Sequence, residues 1–204
     1  MRTSLARRLT ARPEREHLER SEQASTQLEE KLNQLVDALQ LQQRSSRIEP
    51  ESVRLERILQ RLALQLDEPA RRKEIDLRFV PTRAVIMSQP ALLDGILRNL
   101  ARNALDHTLP GGRVLVGCRR RGATIRMEVH DTGEGIPPNK LHSIFEPFFR
   151  IDTTRSEGLG LGLFIVKRAA HCLAHCIELR SAVGRGSCFS VVARTASFDQ
   201  GQSR

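Results

Sequence analysis

The apolar residues of this chain change their spacing part-way along, and that change dictates its architecture. Between residues 14 and 47, Leu18, Ser21, Ser25, Leu28, Leu32, Leu35 and Leu39 recur at alternating intervals of three and four. That is the seam of a coiled-coil helix. Pro13 suits a first helical turn, and the other faces are rich in Glu, Gln and Arg. Such a stripe has to be covered by another helix, from the same chain or from a partner subunit. Ile48-Glu49-Pro50 interrupts the pattern, and a second helix is expected with Val53, Leu55, Ile58, Leu59, Leu62 and Leu66 apolar, ending near Pro69. The period then becomes two: Ile75-Asp76-Leu77-Arg78-Phe79-Val80 alternates as a half-buried strand does. Further along, the pattern predicts a helix over 90–107 and strands near 113–120 and 123–131, joined at Arg121-Gly122 as a hairpin. A helix over 161–174 and strands near 176–181 and 187–193 follow. The expectation is an α+β chain, a helical module followed by an α/β module, with the boundary near residue 68.

Composition narrows the function classes. With 204 residues, 39% of them hydrophobic and 28% charged, the chain can build one or two domains with a real core. No apolar run approaches the ~20 residues that cross a bilayer, so no membrane contact by this chain is expected. Met1 to Arg12 is basic and acid-free, a faint likeness to a transit peptide, but no long apolar or amphipathic segment accompanies it. Four cysteines (Cys118, Cys172, Cys176, Cys188) in a chain of this length are no disulfide framework and point to a reducing, cytoplasmic setting. Tyr and Trp are absent and Phe occurs seven times, which argues against a base-stacking surface and a nucleic-acid partner. The net charge of +9 is unevenly spread: residues 1–80 carry 16 basic and 14 acidic groups, residues 81–204 carry 17 and 10. The surplus therefore lies in the half that holds the glycine-rich segments described next, where an anionic ligand would meet it. Arg119-Arg120-Arg121 is the tightest basic cluster and reads as a solvated strand end.

Three glycine-bearing segments carry the chemistry. Asp131-Thr132-Gly133-Glu134-Gly135-Ile136-Pro137 follows an apolar strand. An Asp there can place a carboxylate in a pocket while the two glycines let the backbone turn away, although the same letters serve an ordinary turn. Gly158-Leu159-Gly160-Leu161-Gly162-Leu163 runs into the helix starting Phe164-Ile165-Val166. Alternate glycines before a helix N-terminus let backbone N–H groups face an anion. Gly184-Arg185-Gly186-Ser187 reads as a strand-to-strand turn. On the helix over 90–107, Asn99, Asn103 and His107 (or Asp106) share a face at spacings of four. Two carboxamides can complete a Mg²⁺ shell whose other oxygens come from phosphates and water; they can also be solvent-facing residues. Asn is a poor helix former, so the pair in mid-helix asks for a reason.

In this order, Asn99–Thr108, Asp131–Pro137, Ile144–Arg150, Gly158–Leu163 and Gly184–Phe189 resemble the ATP-binding module of sensor histidine kinases of two-component systems. They match that family's N, G1, F and G2 boxes and its closing strand, over about residues 75–194. Leu35–Leu39 through Ser46–Glu49 further resembles the end of the second dimerisation helix and the linker. The resemblance implies a partial dimerisation and phosphoacceptor-type module over 1–68, a two-layer α/β sandwich ATPase domain over 69–195 and a tail over 196–204. It implies ATP and Mg²⁺ as cofactors, transfer of the γ-phosphoryl group to a histidine, and relay to the aspartate of a response regulator. A homodimer through the N-terminal helices is implied, and a full-length parent anchored in the inner membrane would fit. Asn103 would ligate Mg²⁺ with Asn99 beside it, and Asp131 would accept from the adenine amino group. Gly133 and Gly135 would let the base approach. Phe145 and Arg150 would belong to the lid, Gly158, Gly160 and Gly162 would wrap the triphosphate, and Ser187 would share the Asp131 network.

Departures from the family pattern bear on activity. Asp106 stands where a basic residue is often found, and Glu157 replaces the first glycine of the lid run. The start, Met1-Arg2-Thr3-Ser4-Leu5, looks like the phosphoacceptor box entered two residues after its His, so the expectation is a fragment lacking its own acceptor. His17 is the alternative acceptor, in a context without the usual following acid and Arg-Thr. Two other readings stand beside the kinase: a degenerate dimerisation or docking module, and an anti-sigma-type Ser/Thr kinase of the same superfamily. His171, Cys172, His175 and Cys176 have spacing that could hold zinc, and would equally pack as small core residues.

Overall fold

The computed structural model describes residues 49–151 and 159–195. The expected helix over 14–47, His17, the Met1–Leu5 segment, Glu157, Gly158 and the tail over 196–204 lie outside the described residues.

The described chain runs β1 (Glu51–Arg54), α1 (Leu55–Arg72), β2 (Asp76–Phe79), β3 (Val85–Ser88), α2 (Pro90–His107), β4 (Arg113–Arg121) and β5 (Thr124–Asp131). Two single-turn 3-10 helices follow at Pro138–Lys140 and Ser143–Phe145, then α3 (Gly162–Cys172), β6 (Cys176–Ala182) and β7 (Gly186–Arg194). Five strands form one sheet in the order β2-β4-β5-β7-β6, and β1 and β3 form a separate antiparallel pair. Only β2 and β4 pair in parallel within the larger sheet. Alternation along the strands sends Ile125, Met127 and Val129 of β5 and Phe189, Val191 and Ala193 of β7 into the core, where they meet buried residues of all three helices. Arg126, Glu128 and His130 of β5 occupy the other face, as a period of two requires.

Helix α2 begins where expected. Pro90 occupies the first turn, and the Gln89 side chain accepts a hydrogen bond from the Leu92 N–H at 2.6 Å, capping an orphan amide. The β4–β5 hairpin turns at Gly122, whose φ of +58° glycine tolerates best.

Two features differ from the sequence expectation. Val53 lies on β1, not on a helix, and β3 was not foreseen. Both strands are four residues long and are defined by pairing with each other, Val53 opposite Ile86, a long-range choice that local periodicity does not reveal. Helix α1 also continues through Pro69 to Arg72. Proline removes one helical hydrogen bond, but Leu66 and Ala70 on either side of it are buried, and that burial holds the last turn in place.

The boundary expected near residue 68 falls inside α1. Leu55, Ile58, Leu59, Leu62, Leu66 and Ala70 share one core with α2, α3 and the sheet. Leu62 is fully buried, and Leu62→Ala is expected to cost about 2–5 kcal/mol, read as a lower denaturant midpoint for the whole α/β unit. An unchanged midpoint would separate α1 from that unit.

Candidate functional site

The site forms where the end of β5, the start of β7, the C-terminal half of α2 and the N-terminus of α3 meet. Asp131 is the last residue of β5, on the core-facing side. Its Oδ1 accepts hydrogen bonds from the backbone N–H groups of Gly133 (2.9 Å) and Ser187 (3.1 Å). Among the described residues no hydrogen bond reaches its Oδ2. Burial pushes the carboxyl pKa up, against the opposing pull of those two hydrogen bonds and of His107 and His130. One oxygen is thus held in place by two amides.

The two glycines after Asp131 are required by close packing. A methyl group at Gly133 would overlap the His107 carbonyl oxygen at the C-terminus of α2. At Gly135, where φ is +70°, it would overlap the Ala182 carbonyl oxygen at the end of β6. The loop is tied to the β6–β7 turn by Gly184 N–H donating to Glu134 O (2.7 Å) and Ile136 N–H donating to Ser181 Oγ (2.8 Å). Ser187 joins the Asp131 network through its backbone; its hydroxyl lies 2.9 Å from Ser181 Oγ.

Asn99 and Asn103 stand half-buried one turn apart on α2. Asn99 Nδ2 donates to Gly95 O at 2.9 Å, and a methyl group at Gly162 would lie 3.3 Å from Asn99 Oδ1. Helix α3 therefore starts directly against this asparagine. Its first turn carries no side-chain cap, so its leading amides are available to an anion. Gly160, at φ +69°, packs on the backbone of Phe148 and Phe149, and its carbonyl accepts from Phe148 N–H at 3.1 Å. That contact ties the Phe145–Arg150 segment to the glycine run. Phe145 packs against the core, with Lys167 Nζ 5.8 Å from its ring centre, and Arg150 is half-buried. Asp106 turns to Lys73 at the end of α1 and forms an ion pair with it, so its charge is directed to a cation outside the site.

His171, Cys172, His175 and Cys176 do not converge. His175 is buried with Nε2 2.9 Å from Ser88 Oγ, and burial lowers its pKa, while His171 and Cys176 are exposed.

A family profile described as histidine kinase-, DNA gyrase B-, and HSP90-like ATPase matches residues 88–197. The chain belongs to this ATPase family. Among curated relatives of this ATPase, the sensor histidine kinase AtsR of Burkholderia thailandensis is 30% identical over 196 residues, covering 90% of this chain and 32% of AtsR. The circadian input-output histidine kinase CikA of Synechococcus elongatus is 32% identical over 185 residues, covering 87% of this chain and 24% of CikA. The chain thus spans a third or less of the length of these two relatives. Full-length ShkA, solved in complex with AMPPNP, superposes with a TM-score of 0.72 at 28% identity, covering 83% of this chain and 36% of that one. The mycobacterial sensor histidine kinase MprB superposes with a TM-score of 0.63 at 27% identity, covering 72% of this chain and 97% of that one.

Sequence reasoning missed Ser181 within the candidate site and Lys73 just outside it. Ser181 is the cross-strand partner of Ser187, so pairing the two strands antiparallel about the Gly184 turn would have exposed it. Nothing local marks Lys73 as the partner of Asp106, 33 residues away.

Proposed function

We propose that this chain is the ATP-binding catalytic region of a sensor histidine kinase, moving the γ-phosphoryl group of Mg·ATP to a histidine for relay to a response-regulator aspartate. The observation that carries the reading is Asp131. Its Oδ1 is fixed by two backbone amides, which leaves Oδ2 as the acceptor for a ligand, and the glycines that follow it pack closely on the His107 and Ala182 carbonyls. That arrangement suits an exocyclic amino group, and the family match and the named kinase relatives supply the base that bears it.

In this reading Asp131 Oδ2 accepts from the adenine amino group while Gly133 and Gly135 let the ring approach. Ser187, through its backbone N–H, keeps the carboxylate aimed. The uncapped start of α3, with Gly160 and Gly162, faces the phosphates, and Gly158 is assigned to the same glycine run by its place in the sequence. Asn103, with Asn99 beside it, offers neutral carboxamide oxygens, the donor type that suits a Mg²⁺ otherwise coordinated by phosphate and water. Phe145 and Arg150 belong to the segment that closes over the nucleotide. Bound Mg·ATP supplies the transferable phosphoryl group; the chain's part is to position it and offset its charge. The catalytic unit begins at β1, because α1 shares its core. A response regulator and a second copy, joined through the N-terminal helices, are the protein partners. The cytoplasm, where ATP is available and the four free cysteines stay reduced, is the compartment.

Incubation with Mg²⁺ and γ-labelled ATP tests this. Mg²⁺-dependent nucleotide binding is expected, and a folded chain that binds no ATP would overturn the reading. Acid-labile, alkali-stable label on the chain would identify a phosphohistidine, with His17 the first position to substitute. Bound nucleotide without label would place the acceptor on another chain.

A further inference from the structure

The sheet face turned away from the helices carries a second cluster that the nucleotide site does not use. His130 on β5 and Cys188 on β7 are direct cross-strand partners, and Glu128 precedes His130 by two residues, so all three point to the same side. His130 Nε2 lies 3.3 Å from Glu128 Oε2 and 3.5 Å from Cys188 Sγ. The three ligand atoms fall within 4.8 Å of one another. Zn–S bonds of about 2.3 Å and Zn–N or Zn–O bonds of about 2.0–2.1 Å at tetrahedral angles separate ligand atoms by about 3.3–3.5 Å. The two measured separations that involve His130 match that spacing. Among the described residues this is the one group of three or more His, Cys, Asp or Glu side chains that converges so closely.

We propose that Glu128, His130 and Cys188 form a zinc site, with the fourth position open to water. The soft sulfur and the imidazole select zinc over Mg²⁺ or Ca²⁺. Glu128 and Cys188 are buried and His130 is half-buried, so the ligands are already partly desolvated. Arg119 lies 3.3 Å from Glu128 Oε2, and Arg126 and Arg180 lie 3.6 Å and 4.0 Å from Oε1. These separations are those of loose ion pairs rather than strong hydrogen bonds. Zinc takes Oε2 from Arg119 and leaves Oε1 to Arg126 and Arg180, which then serve as the outer partners that orient a ligating carboxylate. Arg180 Nη2 also lies 3.8 Å from the Cys188 sulfur. Binding releases the thiol proton.

The site is independent of the nucleotide reading and lies back to back with it. His130 precedes Asp131, and Cys188 follows Ser187, whose amide holds Asp131. A metal there clamps β5 to β7 at the register that aims the carboxylate.

Titration of the full, reduced chain with Co²⁺ tests the proposal, with Zn²⁺ as competitor. One equivalent should produce a sulfur-to-cobalt charge-transfer band in the near ultraviolet, bleached by Zn²⁺. Cys188→Ser should lose the band while Cys172→Ser keeps it. His130→Gln and Glu128→Gln should each weaken Zn²⁺ binding by on the order of tenfold or more, with far-UV circular dichroism confirming that each variant is folded. Absence of a band, or a band that survives in Cys188→Ser, would overturn the site. If Cys188→Ser does not fold, unchanged Zn²⁺ affinity in folded His130→Gln would do so as well.

Discussion

Replacing Asp131 by Asn is expected to weaken nucleotide binding about 100-fold or more while leaving the protein folded. The direction follows from how the carboxylate is held. Its Oδ1 must keep accepting from the Gly133 and Ser187 amides, so the carboxamide that replaces it keeps its oxygen there and turns its NH₂ toward the ligand. A donor then faces the adenine amino donor. A hydrogen bond to a charged acceptor contributes about 1.5–3 kcal/mol, and the upper end of that range corresponds to about 100-fold. Stability should move the other way. Burial disfavours the ionised carboxylate at this position, so the neutral amide should leave the thermal midpoint unchanged or raise it. Isothermal titration with an ATP analogue and a melting curve on the same sample read both effects. Unchanged affinity in a folded variant would remove Asp131 from the site.

The second large effect is expected at Gly186, with Gly184 as its internal comparison. Both glycines have positive φ, +88° and +73°, and lie two residues apart. A methyl group at Gly184 meets nothing within 4 Å, so Gly184→Ala incurs only the left-handed backbone penalty of about 1–2 kcal/mol. At Gly186 the methyl would overlap the Asp131 carbonyl oxygen, 2.8 Å from the carbonyl carbon and 2.9 Å from Thr132 Cα. All three are backbone atoms and none can swing aside. Gly186→Ala should therefore cost about 3 kcal/mol or more and abolish nucleotide binding, because β5 shifts at the residue that carries the carboxylate. Denaturant midpoints of the two variants compared side by side settle it; equal losses would mean that β5 and β7 are not packed this closely.

How much of this was legible in the sequence depended on the range of the interaction. Helix α2 was readable to the residue because its signal is local: Leu93, Ile96, Leu97, Leu100 and Ala104, all buried, follow helical spacing. Strand β5 was readable from its alternation, and Asp131 from its place at the end of that strand before two glycines. Strands β1 and β3 were not, because four residues carry too little pattern and their pairing spans more than thirty positions. The same holds within the site. Ser187 contributes its amide, which every non-proline residue possesses, so its identity signalled nothing about that bond. Gly186 read as part of a turn, and only the approach of β5 shows why it has no side chain. Asp106 stood out as an acid where a basic residue is often found, and only the fold shows Lys73, just after α1, paired with it.

The burial of α1 has a mechanical consequence. Glu49 and Pro50 are exposed and belong to no helix or strand, whereas β1 is hydrogen-bonded to β3, and α1 is embedded in the same core as the sheet. A force applied to α1 is therefore carried into the sheet, α2 and α3 together, through the side chains they share in one core.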